Sequence, residues 1–300
     1  MASYSSSLLK QKTVHDCLIF LEQLFEQTQL YFGHGTDNSW DEAVQLVLWC
    51  LGLPVDSDQS VLPRSLTEQE LQRILAAVEK RVSRRIPLPY ITNEAWFMGL
   101  PFYVDDRVLI PRSPFAELIS DEFSPWIESK DVHRVLEIGT GSGCIACAVA
   151  SVFPNVDVVA TDIDPNALEV ASKNVAKHAL ENRIQLLRSD VFDQVQGRFD
   201  LIISNPPYVS DTEMATLPAE YNVEPEHALR ADHDGLAIVD RLLSMACDFL
   251  HDHGILIVEV GNTDELVDQK YAHLELTWLS FSHGGHGVFL ISKENLLKRG

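Results

Sequence analysis

The sequence predicts an α/β fold: a doubly wound, mostly parallel sheet preceded by a small helical domain. Three observations predict it. From Val132 onward short apolar runs alternate with helical segments, the first hundred residues carry apolar side chains at helical spacing, and acidic residues recur where the expected strands end. At 300 residues the chain also exceeds what one core usually needs, so a main domain and a smaller one are expected.

The helical part comes first. From Val14 to Leu30 the residues Leu18, Leu21, Leu24 and Phe25 recur on one face, and similar patterns cover 41–51 and 67–82. Ser39 or Asp41 is the candidate cap of the second helix, and Thr67 followed by Glu70 fits a capping box for the third. The stretch Ile86-Pro87-Leu88-Pro89-Tyr90 breaks the helical pattern. Aromatic and β-branched runs between Glu94 and Ile110, separated by Gly99-Leu100-Pro101 and Asp105-Asp106, then read as a hairpin linking two domains. The expected boundaries are 1–85 for the helical domain, 86–112 for the hairpin linker and 113–300 for the sheet domain.

Within the sheet domain, strands are expected near 132–138, 156–162, 184–188, 199–204, 254–260, 276–282 and 286–292, with helices near 143–152, 164–179 and 235–250. The last two strands are joined by His283-Gly284-Gly285, too short for a parallel crossover, so one of the seven must run antiparallel.

Composition narrows the classes of function. A hydrophobic fraction of 46% with 22% charged residues argues against disorder, and no apolar run approaches the ~20 residues that span a bilayer. The start, Met1 to Ser7, is polar and lacks a basic-then-apolar signal, so export is not expected. Five cysteines without a paired framework read as reduced thiols in the cytoplasm. The formal charge of −21 counts against free nucleic acid as substrate, yet suits a basic protein partner. Solubility alone is the other account of that charge.

Two constellations carry chemistry. Leu136-Glu137-Ile138-Gly139-Thr140-Gly141-Ser142-Gly143 follows the first sheet strand and opens a helix, where glycines permit close backbone approach and the helix start offers N–H groups. Its spacing departs from the dinucleotide fingerprint, and no Lys or Arg stands in the loop to hold phosphate. Asp162, with Ile163 beside it, ends the second strand where a carboxylate accepts ribose hydroxyls. Asp190 and Val191 end the third, where an acid and apolar groups suit an adenine ring. A nucleoside without phosphates fits this set, and S-adenosyl-L-methionine is such a molecule, its positively charged amino acid end facing Glu137.

The second constellation is Asn205-Pro206-Pro207-Tyr208, directly after the run Phe199 to Ser204. Prolines have no N–H and a fixed φ, so their carbonyls stay where the turn puts them. Asn205 adds a side-chain carbonyl and Tyr208 an aromatic face. Together they suit a planar NH2 group, gripping its hydrogens and leaving its nitrogen aimed at an electrophile.

Glu137 to Gly143, Asp162, Asp190 and Asn205 to Tyr208, in this order and spacing, resemble class I S-adenosylmethionine-dependent methyltransferases. The resemblance implies a seven-stranded sheet with one antiparallel strand, and the Asn-Pro-Pro-Tyr element resembles enzymes acting on glutamine N5, adenine N6 or cytosine N4. Arg85 to Tyr90 and Phe102 to Arg112 look like the linker hairpin of bacterial protein-(glutamine-N5) methyltransferases, whose helical N-terminal domain recruits substrate. The release-factor branch usually continues with Pro-Glu-Thr-Glu, where this chain has Ser113-Pro114-Phe115-Ala116-Glu117. With Tyr31 to Asn38 and Trp40 to Leu46, that departure is similar to the branch modifying the third large-subunit ribosomal protein.

The resemblance implies that Asn205 Oδ1 and the Pro206 carbonyl accept the two amide hydrogens while Tyr208 packs on the amide plane. The expected cofactor set is Glu137, Gly139, Thr140, Gly141, Ser142, Gly143, Asp162, Ile163, Asp190, Val191 and Asn205, with S-adenosyl-L-homocysteine as product and no metal. Beyond the motif, residues 209–235 hold seven acids against Arg230 alone, an expected lip for a basic protein loop. Methylation of release factors, an amino-methyltransferase of DNA or RNA, and a non-catalytic ribosome-assembly binding protein stand as alternatives.

Other features call for no chemistry. Cys144 and Cys147 are read as small buried helix residues facing the sheet, His251 and His253 as exposed turn residues, and Gly33-His34-Gly35 as an interhelical turn or part of a docking surface.

Overall fold

The computed structural model describes residues 3–298; of the polar start, Met1 and Ala2 lie outside them. The chain divides into two compact units, Met1–Ala95 with Pro218–Val223, and Trp96–Leu217 with Glu224–Gly300.

In the first unit, helices Ser3–Leu8, Val14–Gln27, Ser39–Leu51, Glu68–Val78 and Leu88–Thr92 surround a core that includes Leu21, Phe25, Leu46 and Ile74. The capping box at Thr67 and Glu70 is present, with both reciprocal bonds made. The second long helix is capped one residue earlier than expected. Asn38, rather than Ser39 or Asp41, accepts the Asp41 N–H at 2.8 Å, while Ser39 already sits in the helix with its hydroxyl 3.3 Å from Glu26. Past Val78 the helix widens into a π-helical turn, Glu79–Ser83, which carries Arg81 inside. His34 is buried too, against the rings of Tyr31 and Tyr221.

The second unit holds the sheet. A small hairpin pairs β1 (Ala95–Phe97) with β2 (Leu100–Phe102), turning through Met98 and Gly99 at positive φ. The main strands are β3 (Arg134–Ile138), β4 (Asp157–Asp162), β5 (Ile184–Arg188), β6 (Phe199–Ser204), β7 (Leu250–Glu259), β8 (Thr277–Trp278) and β9 (Val288–Ser292). Their order is β5-β4-β3-β6-β7-β9-β8, with β9 antiparallel to both neighbours and the other adjacent pairs parallel.

Side-chain alternation explains the double winding. Val135, Val158, Leu201 and Ile257 enter a core with helix Cys144–Val152, whereas Leu136, Val159, Ile202 and Leu256 enter another with helix Ala237–Phe249. Cys144 and Cys147 are buried, and burial pushes the Cys144 thiol up to about 12.

Two strands differ from expectation. The strand expected at 254–260 begins at Leu250, with a register shift opposite Phe199 and Leu201, so His251 and His253 lie on it rather than in a turn. His253 Nε2 stands 2.9 Å from Asp200. The strand expected at 276–282 shrinks to Thr277–Trp278, because beyond Leu279 the N–H groups of Ser282 and His283 are bonded by the Glu117 carboxylate instead of a neighbouring strand. Among the described residues no helix is long and apolar enough to cross a membrane.

Candidate active site

The carboxyl ends of β3, β4, β5 and β6 open onto one cavity of about 320 Å³. It is lined by Glu137, Gly139, Thr140, Gly141 and Ser142 after β3, by Asp162 and Ile163 after β4, by Asp190 and Val191 after β5, and by Asn205, Pro206 and Pro207 after β6. Gly143 alone of the expected cofactor set lies off the wall. It starts the helix at φ +80, and a Cβ there would stand 3.2 Å from the Ala171 Cβ, so its smallness serves helix packing.

Two carboxyls set the electrostatics of the cavity. Glu137 is buried, with Oε2 accepting the Thr140 hydroxyl at 2.6 Å and the Ala146 N–H at 3.1 Å. Burial pushes its carboxyl up to about 8, and the neighbouring Asp162 charge acts in the same direction. Asp162 accepts the Gly141 and Asp164 N–H groups at 2.9 and 3.0 Å, yet burial still raises it above the ordinary aspartate value. Its two oxygens are thereby fixed by backbone, with lone pairs left for further donors.

The wall that follows β5 is more complicated than the sequence indicates. Asp190 Oδ1 is paired with Arg241 Nη1 at 2.5 Å, from the helix Ala237–Phe249, so its carboxylate is shared with a cation. Ile163, after the neighbouring β4, is 55% exposed on the same cavity, an apolar surface available to a flat ring.

A second cavity of about 120 Å³ also borders the motif. Asn205 and Pro206 line both cavities, and so do Leu109, Arg112 and Ala228. Tyr208 lines only the smaller one, with Val209, Leu229 and Glu259. At the base of the motif, the Ser204 hydroxyl donates to the Ile138 carbonyl at 2.8 Å and ties the ends of β6 and β3 together.

The acidic stretch 209–235 is only partly a lip. Glu220 and Glu224 are buried: Glu220 accepts from Arg81 at 3.0 Å and from the Tyr31 N–H at 3.1 Å, and Glu224 from the Ile110 N–H at 3.1 Å, with Arg112 at 2.7 Å. Asp211 and Glu226 share the single cation Arg230, at 2.6 and 2.9 Å, and Glu213 accepts from Asn262 at 2.6 Å. Asp232 and Asp234 remain exposed.

Several wall residues escape a reading of motifs. Arg107 to Ser113, His227 and Ile238 line the larger cavity, and Glu259 the smaller. Glu259 had a signal: it is an acid ending an apolar strand, as Asp162 is and as Glu137, one residue before the end of β3, nearly is. Among the described residues no group of three or more His, Cys, Asp or Glu is placed to hold a metal ion.

Comparison with known proteins gives these features a context. Residues 121–224 match the family model Methyltransferase small domain. The catalytic domain of hMettl16, solved in complex with MAT2A 3'UTR hairpin 6, superposes with a TM-score of 0.52 at 18% identity, covering 75% of this chain and 81% of that one. That likeness establishes an α/β methyltransferase-like fold. The ribosomal protein uL3 glutamine methyltransferase of Francisella tularensis subsp. tularensis (strain SCHU S4 / Schu 4) is 43% identical over 288 residues, 95% of this chain and 92% of that protein. The protein of the same description from Neisseria gonorrhoeae (strain ATCC 700825 / FA 1090) is 43% identical over 286 residues, 95% of this chain and 96% of that protein. With such similarity along nearly its whole length, the chain belongs to the family of ribosomal protein uL3 glutamine methyltransferases.

Proposed function

We propose that this protein methylates the side-chain nitrogen of a glutamine on ribosomal protein uL3, with S-adenosyl-L-methionine as methyl donor. The observation that carries the chemistry is that Asn205 and Pro206 form part of the walls of both cavities. A group held by their oxygens from the smaller cavity faces the larger one.

S-adenosyl-L-methionine, when bound, supplies an electrophilic methyl group on a sulfonium. The residues present fit it: Asp162 for the ribose hydroxyls, Ile163 and Val191 for the faces of the adenine, Asp190 with Arg241 at its edge, and Glu137 beneath the glycine loop toward the amino acid end. The glycine loop offers backbone N–H groups and no cation, which suits a ligand without phosphates. Asp162→Ala removes hydrogen bonds to a charged acceptor and should weaken cofactor affinity by about 10- to 100-fold. Isothermal titration with S-adenosyl-L-homocysteine measures it, and an unchanged dissociation constant would remove Asp162 from the site.

An amide nitrogen is a poor nucleophile because its lone pair is delocalised into the carbonyl. Asn205 Oδ1 and the Pro206 carbonyl accept its two hydrogens, localise electron density on nitrogen and fix its direction, while the Tyr208 ring packs on the amide plane. Such alignment lowers the barrier by up to about 7–11 kcal/mol without a strong base before transfer; as the nitrogen gains the methyl group from the sulfonium it gives up one of its two hydrogens as a proton to solvent, and S-adenosyl-L-homocysteine is the leaving group.

The choice of a basic protein over nucleic acid follows from charge. The unit bearing the sheet holds 31 acidic residues against 15 basic ones, an unfavourable surface for a phosphate backbone. The helical unit, on this reading, recruits the substrate. Because Glu220 and Glu224 are buried, steering falls to exposed acids such as Asp232 and Asp234. The Michaelis constant for uL3 should therefore rise with salt, and rise less steeply in Asp232→Asn/Asp234→Asn. A constant indifferent to salt would remove steering from the account.

Incubation of the protein and radiolabelled S-adenosyl-L-methionine with undermethylated uL3, release factors and DNA in parallel tests the proposal. Label on uL3 is expected. Label confined to release factors or to DNA would redirect the assignment, and label on none would favour a binding protein.

A further inference from the structure

Glu259 takes no part in the chemistry described so far, yet it borders the cavity that receives the acceptor amide. It is the last residue of β7 and 5% exposed, and a carboxyl in that position is costly unless its oxygens are engaged. They are. Oε2 accepts the Ser113 hydroxyl at 2.5 Å, and the Tyr208 hydroxyl donates to Oε1 across 3.4 Å. Ser113 is itself held, because its oxygen also accepts the Phe115 N–H at 3.1 Å.

The other side of Tyr208 is equally constrained. Two residues past Glu259, the chain turns through Gly261 at φ +49, where a Cβ would lie 2.6 Å from Tyr208 Cε2 and 2.8 Å from Cζ. Gly287 backs this turn so closely that its own Cβ would fall 2.0 Å from the Gly261 carbonyl oxygen, so the floor cannot retreat. The ring of Tyr208 rests on bare backbone, with its hydroxyl tethered to a buried carboxyl.

We propose that Glu259 is a positioning residue for methyl transfer: by accepting the Tyr208 and Ser113 hydroxyls it fixes the plane of the Tyr208 ring over Gly261, and so orients the amide that Asn205 and Pro206 grip. This rests on the reaction proposed above. The tether depends on ionisation. Only the carboxylate accepts at both oxygens without competition, since protonation converts one of them into a donor. Burial pushes the Glu259 carboxyl up to about 7, against the opposing pull of Ser113, Tyr208 and the Arg112 charge. Arg112 in turn pairs with Glu224, and the β9 residue opposite Glu259 is Val288, which does not titrate.

The test is a mutant cycle followed across pH with uL3 as substrate. At saturating cofactor, which removes the contribution of Glu137 to cofactor affinity, wild-type kcat should fall as pH drops through about 7. Glu259→Gln and Tyr208→Phe should each lose that limb and lower kcat roughly tenfold, the cost of one hydrogen bond to a charged group. The double variant should be no slower than the slower single one. Affinity for S-adenosyl-L-homocysteine should stay within about twofold of wild type, and KM for uL3 should change less than kcat. Multiplying losses in the double variant, or a limb that persists in both singles, would overturn the assignment. If Glu259→Gln does not fold, the pH profile of Tyr208→Phe decides alone. Wild-type turnover is the reference: its absence overturns the reaction and this assignment together, whereas full turnover with variants that parallel it across pH overturns the role of Glu259 only.

Discussion

Asn205→Ala is expected to lower kcat for uL3 methylation by about a hundred- to thousandfold, the scale of losing one preorganised polar group at a reacting centre. Cofactor affinity should weaken only modestly. The asymmetry follows from position. Asn205 borders the larger cavity at its edge, where Asp162, Glu137 and the glycine loop supply the remaining wall, but in the smaller cavity its side-chain oxygen is one of two acceptors proposed for the amide. Single-turnover kinetics with saturating cofactor separates the two effects. Near-normal turnover would sink the mechanism, and loss of cofactor binding in parallel with turnover would make Asn205 a cofactor residue instead.

The largest effect on stability is expected from Arg81→Ala, about 3–5 kcal/mol, because it leaves the buried Glu42 carboxylate without its cation and the buried Glu220 with only the partly exposed Arg85 at 3.3 Å. Arg81 is 1% exposed. Its guanidinium bonds Glu42, Glu220 at 3.0 Å and the Tyr31 carbonyl at 2.7 Å, an arrangement that satisfies all three planar nitrogens. The cost arises less from the lost attraction than from the charges it strands. Arg84, one residue past the end of the π-helical turn and exposed, provides the control, and Arg84→Ala should stay within about 0.5 kcal/mol of wild type. Urea denaturation of both variants checks the contrast. Equal midpoints would show that the buried network contributes nothing net.

Much of the sheet was legible because β3, β4 and β6 are short and apolar on both faces, so each appears as a run with a polar residue at or next to its end. The same strand-end logic singled out Glu137, Asp162 and Asp190, and the proline pair singled out the motif after β6, all of which the fold brings to one cavity. What escaped depends on partners far away in the chain. Glu220 and Glu224 look like solvated lip residues until Arg81 and Arg112 are placed beside them. The short β8 follows from the Glu117 carboxylate taking backbone donors that a longer strand would have used. Asn38 was passed over as a cap because Ser39 and Asp41 are equally apt residues one and three positions on, and only the backbone decides among them. Gly261 carried no motif at all. Its meaning appears when the Tyr208 ring is found lying on it.

The central claim is that the two cavities meeting at Asn205 and Pro206 bring a glutamine amide to a methyl donor. Fragmentation mass spectrometry of uL3 after incubation with the purified protein and S-adenosyl-L-methionine tests it directly. The account predicts the mass of a single added methyl group, placed by fragment ions on the side-chain nitrogen of one glutamine and absent with Asn205→Ala. A methyl group on a lysine, on the N-terminus or on no residue of uL3 would contradict it.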